Sequence, residues 1–266
     1  MNDKERFKVA CDEVLNQVDK GRGIGRLGEK ALHAILKKYM QEDLEKHEVK
    51  LGNYIADIFT DDGVIEIQTR QFAKLRPKLE FFLTEYPVTI VYPIPARKWL
   101  VWIDPNIGVA TKERLSPKRG NVYDCIRELY AIKPYLDHPG LRIELIYVDL
   151  KEYRLLNGWS TDLKRGSERV DRIPIALDRS ESLGKDTGYG VLIPQTLPSA
   201  FTSADYAKHA HIHPRRAQIA MNILKSLMLI RANGKKGRHI LYERTDLLTD
   251  VKPSQSDITM EVEPLE

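Results

Sequence analysis

Asn53–Arg70, NYIADIFTDDGVIEIQTR, decides how the chain folds. Its two halves, around Tyr54–Thr60 and Val64–Thr69, are rich in β-branched and aromatic residues. Asp62-Gly63 between them is a hairpin signal. Each half carries polar intruders: Asp57 in the first, Glu66 and Gln68 in the second. Side chains alternate between the two faces of a strand. Ile55, Asp57 and Phe59 therefore share one face, as do Val64, Glu66 and Gln68, while Ile65, Ile67 and Thr69 take the other. A turn over residues 61–63 sets Asp57 beside Glu66 or Gln68. Two carboxylates about 4 Å apart repel by roughly 4 kcal/mol at an effective dielectric near 20. A half-buried pair of that kind calls for a cation, a proton kept on one acid, or a Lys/Arg partner.

Working outward, residues 4–19 space Phe7, Ala10, Val14 and Val18 as the apolar stripe of a helix. A glycine-rich turn then opens a second helix with Leu32, Ile35, Leu36 and Tyr39 on one side. The turn contains Gly23-Ile24-Gly25-Arg26-Leu27-Gly28, a literal G-x-G-x-x-G. The dinucleotide fingerprint needs a strand before it, and here a helix precedes it, so a hinge between helices is the better reading. After the hairpin come a helix containing Pro77, two short strands in VTIVYPIP and KWLVWID, a helix over VYDCIRELYAIKPYL, and LRIELIYVDLKEYRLL as one long strand or a hairpin. This order predicts an α/β (α+β) core, a mixed central sheet flanked by helices. Residues 157–197, rich in Gly, Pro and charge, read as a connector with a short β extension.

Hydrophobic residues make up 42% of the chain and charged residues 30%, an ordinary globular balance. No apolar run approaches the roughly 20 residues that cross a bilayer, and the N-terminus lacks a signal-peptide core, so no membrane partner and a cytoplasmic location are expected. Cys11 and Cys125 lack metal or redox spacing and read as reduced, partly buried thiols. The charge is unevenly spread. Phe201–Thr245 holds nine Lys/Arg against two acids, a net +7, and the segment from Asp246 onward holds six acids against Lys252, a net −5. A concentrated basic module suggests a polyanion partner. The tail over 246–266 reads as disordered.

Glu29 opening a helix, then IADIFT with Asp57, then IEIQT with Glu66 and Gln68, followed by a helix and an apolar strand, resembles the PD-(D/E)XK, or restriction-endonuclease-like, nuclease superfamily. The resemblance covers roughly residues 1–105. It implies a metal-dependent phosphodiester hydrolase, with Glu29, Asp57 and Glu66 as the acids and Gln68 where the superfamily usually has lysine. Mg²⁺ or Mn²⁺ would be held by Asp57, Glu66 and the backbone carbonyl of Ile67, with Glu29 acting through bound water or a second ion. Glutamine positions a water but brings no charge. Arg70, Lys74, Arg76 and Lys78 follow at once as substitute cations, with Arg70 and Lys74 set to meet nucleic acid.

Residues 197–244 resemble a winged helix-turn-helix. Thr202 or Ser203 caps a short helix, and HIHP is a turn. Pro214 then stands at the first position of a second helix. On that helix Arg215, Arg216, Gln218 and Asn222 are left for a nucleic-acid face. ANGKKG forms the wing tip, turning at Asn233-Gly234, with Lys235, Lys236 and Arg238 for phosphate. His209, His211 and His213 alternate across a turn and suit phosphate or base contact better than zinc. The expected organisation is a nuclease-like domain over 1–155, a connector over 156–196, a winged-helix domain over 197–245 and the acidic tail. The expected function is a metal-dependent DNA endonuclease. RNA as substrate and a homodimer are both compatible with the sequence. The rival is a DNA-binding regulator that uses an inactive nuclease fold for dimerisation or protein contact.

Overall fold

The computed structural model describes residues 1–19, 28–104, 106, 110, 113–157 and 167–245, with the side chains of 17–19, 28–30 and 171 outside that description. The helices are α1 (Asp3–Asp19), α2 (Gly28–Met40), α3 (Arg76–Phe82), α4 (Ile126–Ala131), α5 (Ser203–His209) and α6 (Pro214–Ser226). The strands are β1 (His47–Leu51), β2 (Tyr54–Thr60), β3 (Gly63–Ile67), β4 (Val88–Ile103), β5 (Arg114–Leu115), β6 (Leu141–Leu155), β7 (Glu168–Gly184), β8 (Ala200–Phe201), β9 (Ile230–Lys236) and β10 (His239–Arg244).

The main sheet runs β1-β2-β3-β4-β6-β7, with β5 added to β4. It is mixed: β3, β4 and β6 are parallel neighbours, and the other pairs are antiparallel. Helices cover both faces because the central strands bury both faces. Ile90 and Leu145 join a core with Leu79 and Phe82 of α3 and Leu129 of α4. Their sequence neighbours Val91 and Ile146 join the opposite core with Phe7 of α1 and Ile35 of α2. This is the expected mixed sheet between helices. Cys11 and Cys125 are free and buried, and burial pushes the Cys11 thiol up to about 12. No helix among the described residues is long and apolar enough to cross a membrane.

Two elements differ from the sequence expectation, each for a physical reason. VTIVYPIP and KWLVWID form one strand, β4, rather than two. β3 pairs with β4 only over Val88–Val91. Pro93 and Pro95 therefore fall beyond the end of the β3 ladder, and a bulge follows between Pro95 and Arg97. LRIELIYVDLKEYRLL takes the first of its two expected forms, a single long strand, β6. The connector contains β7, a 17-residue strand paired along β6 rather than a short extension. As the edge of the sheet, β7 tolerates Pro174 and a charge-rich sequence, which disguised it.

Beyond β7, a capping box in which Thr202 Oγ1 and Asp205 exchange hydrogen bonds starts α5. His213 caps α6 by accepting from the Arg215 amide, with Pro214 at the first position. A second sheet, β8-β10-β9, follows. Its hairpin turns at Gly237-Arg238, not at Asn233-Gly234. Lys236 pairs with His239, and Gly237 supplies the positive φ of 61°. Lys235 and Lys236 thus lie on a strand and Arg238 in the turn, all exposed.

Candidate functional site

The β2–β3 hairpin builds the site. Ile58 pairs with Ile65 and Phe59 with Val64, so the next step in register puts Asp57 across from Glu66. Asp57 Oδ2 accepts the Ile67 amide at 2.7 Å, which fixes the carboxylate against β3. Gly63 makes this hairpin possible: its φ is +115°, and a Cβ there would lie 2.3 Å from the Pro87 carbonyl oxygen. That carbonyl accepts the Val64 amide at 2.9 Å, which starts the parallel β3–β4 pairing.

Glu66 is 3% exposed. Burial, and then the neighbouring Asp57 carboxylate, push its pKa up to about 7, although Lys78 pulls the other way. Lys78 projects from α3 and donates to Glu66 Oε1 and Oε2, both at 2.8 Å, and to the Ile55 carbonyl at 2.6 Å. All three ammonium protons therefore have acceptors. On the other side His33 Nε2, from α2, stands 3.6 Å from Asp57 Oδ1. Burial opposes ionisation of Asp57, but His33, the Ile67 amide and Lys78 outweigh it and hold this carboxyl below the ordinary range. The two acids thus divide their roles. Asp57 is the committed anion, and Glu66 keeps its proton more readily.

These groups line a cleft of about 450 Å³ that also takes in Gln68, Thr69, Arg70, Gln71 and Lys74. Gln68 donates its amide to the Arg70 carbonyl and so holds the chain after β3. Gln71 sits at φ 62° before the 3₁₀ turn Phe72–Leu75, and Glu128 of α4 accepts the Phe72 amide at 2.8 Å. That clamp helps set the start of the segment that carries Lys74 and Lys78. Arg70 and Lys74 are exposed at the rim.

Of the residues expected at the site, Asp57, Glu66, Ile67, Gln68, Arg70 and Lys74 converge on this cleft. Glu29 lies on α2 one turn before His33, and its side chain falls outside the described residues. His33 was missed, although its signal was legible: four residues after Glu29 puts both on one helix face. Two carboxylates on a cleft are the hard oxygen donors that Mg²⁺ or Mn²⁺ takes, so the residues fit such an ion. Among the described residues no group of three or more His, Cys, Asp or Glu forms a metal-holding cluster.

The basic segment divides. Arg216 turns toward the main sheet and pairs with Asp124 at 3.0 Å. Asn222 accepts from Lys133 at 2.8 Å. Arg215 and Gln218 stay exposed, as do Lys235, Lys236 and Arg238. The histidines take separate posts: His209 bonds Thr196 at 2.9 Å, His213 caps α6, and His211 holds a left-handed turn.

A relative from Treponema pallidum (strain Nichols), described as an uncharacterized protein, is 26% identical over 218 residues, covering 81% of this chain and 85% of the relative. No solved structure matches the chain. A family model described as a domain of unknown function, DUF8091, matches residues 30–184. That span begins within α2 and ends where β7 ends, so it takes in His33, Asp57, Glu66 and Lys78. The chain therefore belongs to the DUF8091 family.

Proposed function

We propose that the protein is a metal-dependent nuclease of the PD-(D/E)XK type, hydrolysing phosphodiester bonds in DNA, with a C-terminal winged helix as its docking module. One observation carries the reading: Lys78 Nζ lies 2.8 Å from both oxygens of Glu66, in a cleft shared with Asp57. The lysine absent from position 68 is thus supplied from α3. A Mg²⁺ or Mn²⁺ ion held by Asp57, Glu66 and the Ile67 carbonyl would supply an activated water and a clamp on the phosphate. The chain's own groups do the rest. Lys78 offsets negative charge at the acids and at the phosphate they face. Glu66, ionising near neutrality, sets the pH at which the pair is fully charged. Arg70 and Lys74 hold the substrate backbone at the rim.

The expected result is DNA cleavage with Mg²⁺ or Mn²⁺, abolished in Asp57→Ala, Glu66→Ala and Lys78→Ala. A Lys78→Ala/Gln68→Lys double variant restores part of the activity by returning the cation to the strand. Wild-type protein that cuts no nucleic acid with either metal overturns the reading. The same ion pair favours the rival, a DNA-binding regulator on an inactive fold, because Lys78 already neutralises Glu66. That rival requires salt-sensitive binding with no cleavage under any metal.

A further inference from the structure

A second cleft, of about 290 Å³, opens beside the first and shares Thr69 and Arg70 with it. Five cations line it, Arg70, Lys98, Lys118, Arg169 and Arg172, against one acid, Asp124. Asp124 is already engaged by Arg216 at 3.0 Å and Lys118 at 3.8 Å. Two of the cations are anchored from inside the sheet. Glu152, 1% exposed, accepts from Lys98 and from Arg172, each at 3.3 Å, and from Arg154 at 2.5 Å. One carboxylate against three cations leaves that cluster positive. Such a cluster is costly to build for stability alone, because a buried ion group rarely outperforms an apolar one. Apolar residues of β4 line the same cleft. Tyr92, set edge-on against Phe72 at 5.4 Å, stands with Pro93 and Pro95.

Five cations and an aromatic ring lining one cleft are the groups a single nucleic-acid strand uses: phosphates meet charges, and a base meets a ring. The size agrees. About 290 Å³ is at the lower end of ligand sites. It holds on the order of one nucleotide and excludes a duplex. Thr69 and Arg70 border both clefts, so this one adjoins Asp57 and Glu66.

We infer that this cleft binds one unpaired strand immediately beside the cleavage site, so that the preferred substrate is a duplex with a single-stranded overhang rather than a blunt duplex. The inference deepens the nuclease reading and rests on it for the position of the cut, but the binding itself is tested without catalysis. Full-length protein in EDTA is titrated by fluorescence anisotropy with a blunt duplex and with the same duplex carrying a 3′ or a 5′ overhang. The overhang is expected to tighten binding about tenfold. Arg70→Ala/Lys118→Ala is expected to erase that gain and to lower the salt slope by about 1.4. Both side chains are exposed, so the fold is expected to survive, and Lys118→Glu alone gives a second reading of the same effect. Equal affinity for blunt and overhanging duplex, no binding to either, or an overhang preference untouched in both variants overturns the inference. Cleavage is then assayed separately with Mn²⁺. Overhang preference without cleavage overturns the nuclease reading and leaves the cleft. Cleavage without overhang preference does the reverse.

Discussion

Burying Glu66 beside Asp57 makes folding depend on pH in a defined direction. Glu66 has an ordinary value of 4.5 and is raised to about 7 in the folded chain. The folded state therefore holds a proton that the unfolded state has released. The contribution is fully present below pH 4.5 and is lost as pH rises through 7. Asp57, held below its ordinary value, contributes in the opposite sense, being lost only as pH falls through its lowered value. Urea unfolding at pH 5 and pH 7.5 should therefore show Glu66→Gln gaining stability relative to wild type at the higher pH, by about 2 kcal/mol. An equal difference at both pH values would remove the raised pKa from the account. At this scale the sequence showed much. Alternation and the Asp62-Gly63 turn set Asp57 beside Glu66 or Gln68, and the strand register selects Glu66. The sequence did not single out Lys78 among four following cations, because choosing one requires the angle at which α3 lies on the sheet. That angle comes from packing of Leu79 and Phe82, not from local spacing.

The hairpin β2–β3 carries the site, and Gly63 carries the hairpin. A side chain there meets both a positive φ and the Pro87 carbonyl. Gly63→Ala is expected to destabilise the fold by about 2–4 kcal/mol and to shift β3 along β4. Thermal unfolding gives the stability. The separation of Asp57 from Glu66 is followed by the Glu66 carboxyl titration in NMR, whose midpoint should fall toward 4.5 if the acids part. A midpoint unmoved by the substitution would mean that the hairpin does not set the pair. Elements with clean period-2 or helical stripes were legible: α1, α2, β2, β3, and the capped α5 and α6. The continuity of β4 and the length of β7 were not. Proline and charge mark loops locally, while what admits them here is a strand side with no ladder partner, a property of the whole sheet.

The segment after β7 does not stand apart from the sheet. One buried core holds Leu129 and Ile132 together with Phe201, Tyr206, Ala217 and Leu224. The phenol of Tyr189 donates to the Leu136 carbonyl at 2.8 Å, and Tyr123 meets Tyr206 edge-on at 6.1 Å. A chain with a continuous core unfolds as one unit, so calorimetry should give a single transition with equal calorimetric and van't Hoff enthalpies. Two resolved transitions would mean that the helices α5 and α6 melt independently. The boundaries read from composition placed a connector at 156–196. The strand β7 within it instead joins the first part to the second. With Arg216 held by Asp124 and Asn222 by Lys133, the basic helix has no slack relative to the acidic pair. On the nuclease reading, such a molecule works as a ruler: where α6 grips, the cut falls at one fixed offset, and lengthening the loop before β8 would blur the product ends rather than move them.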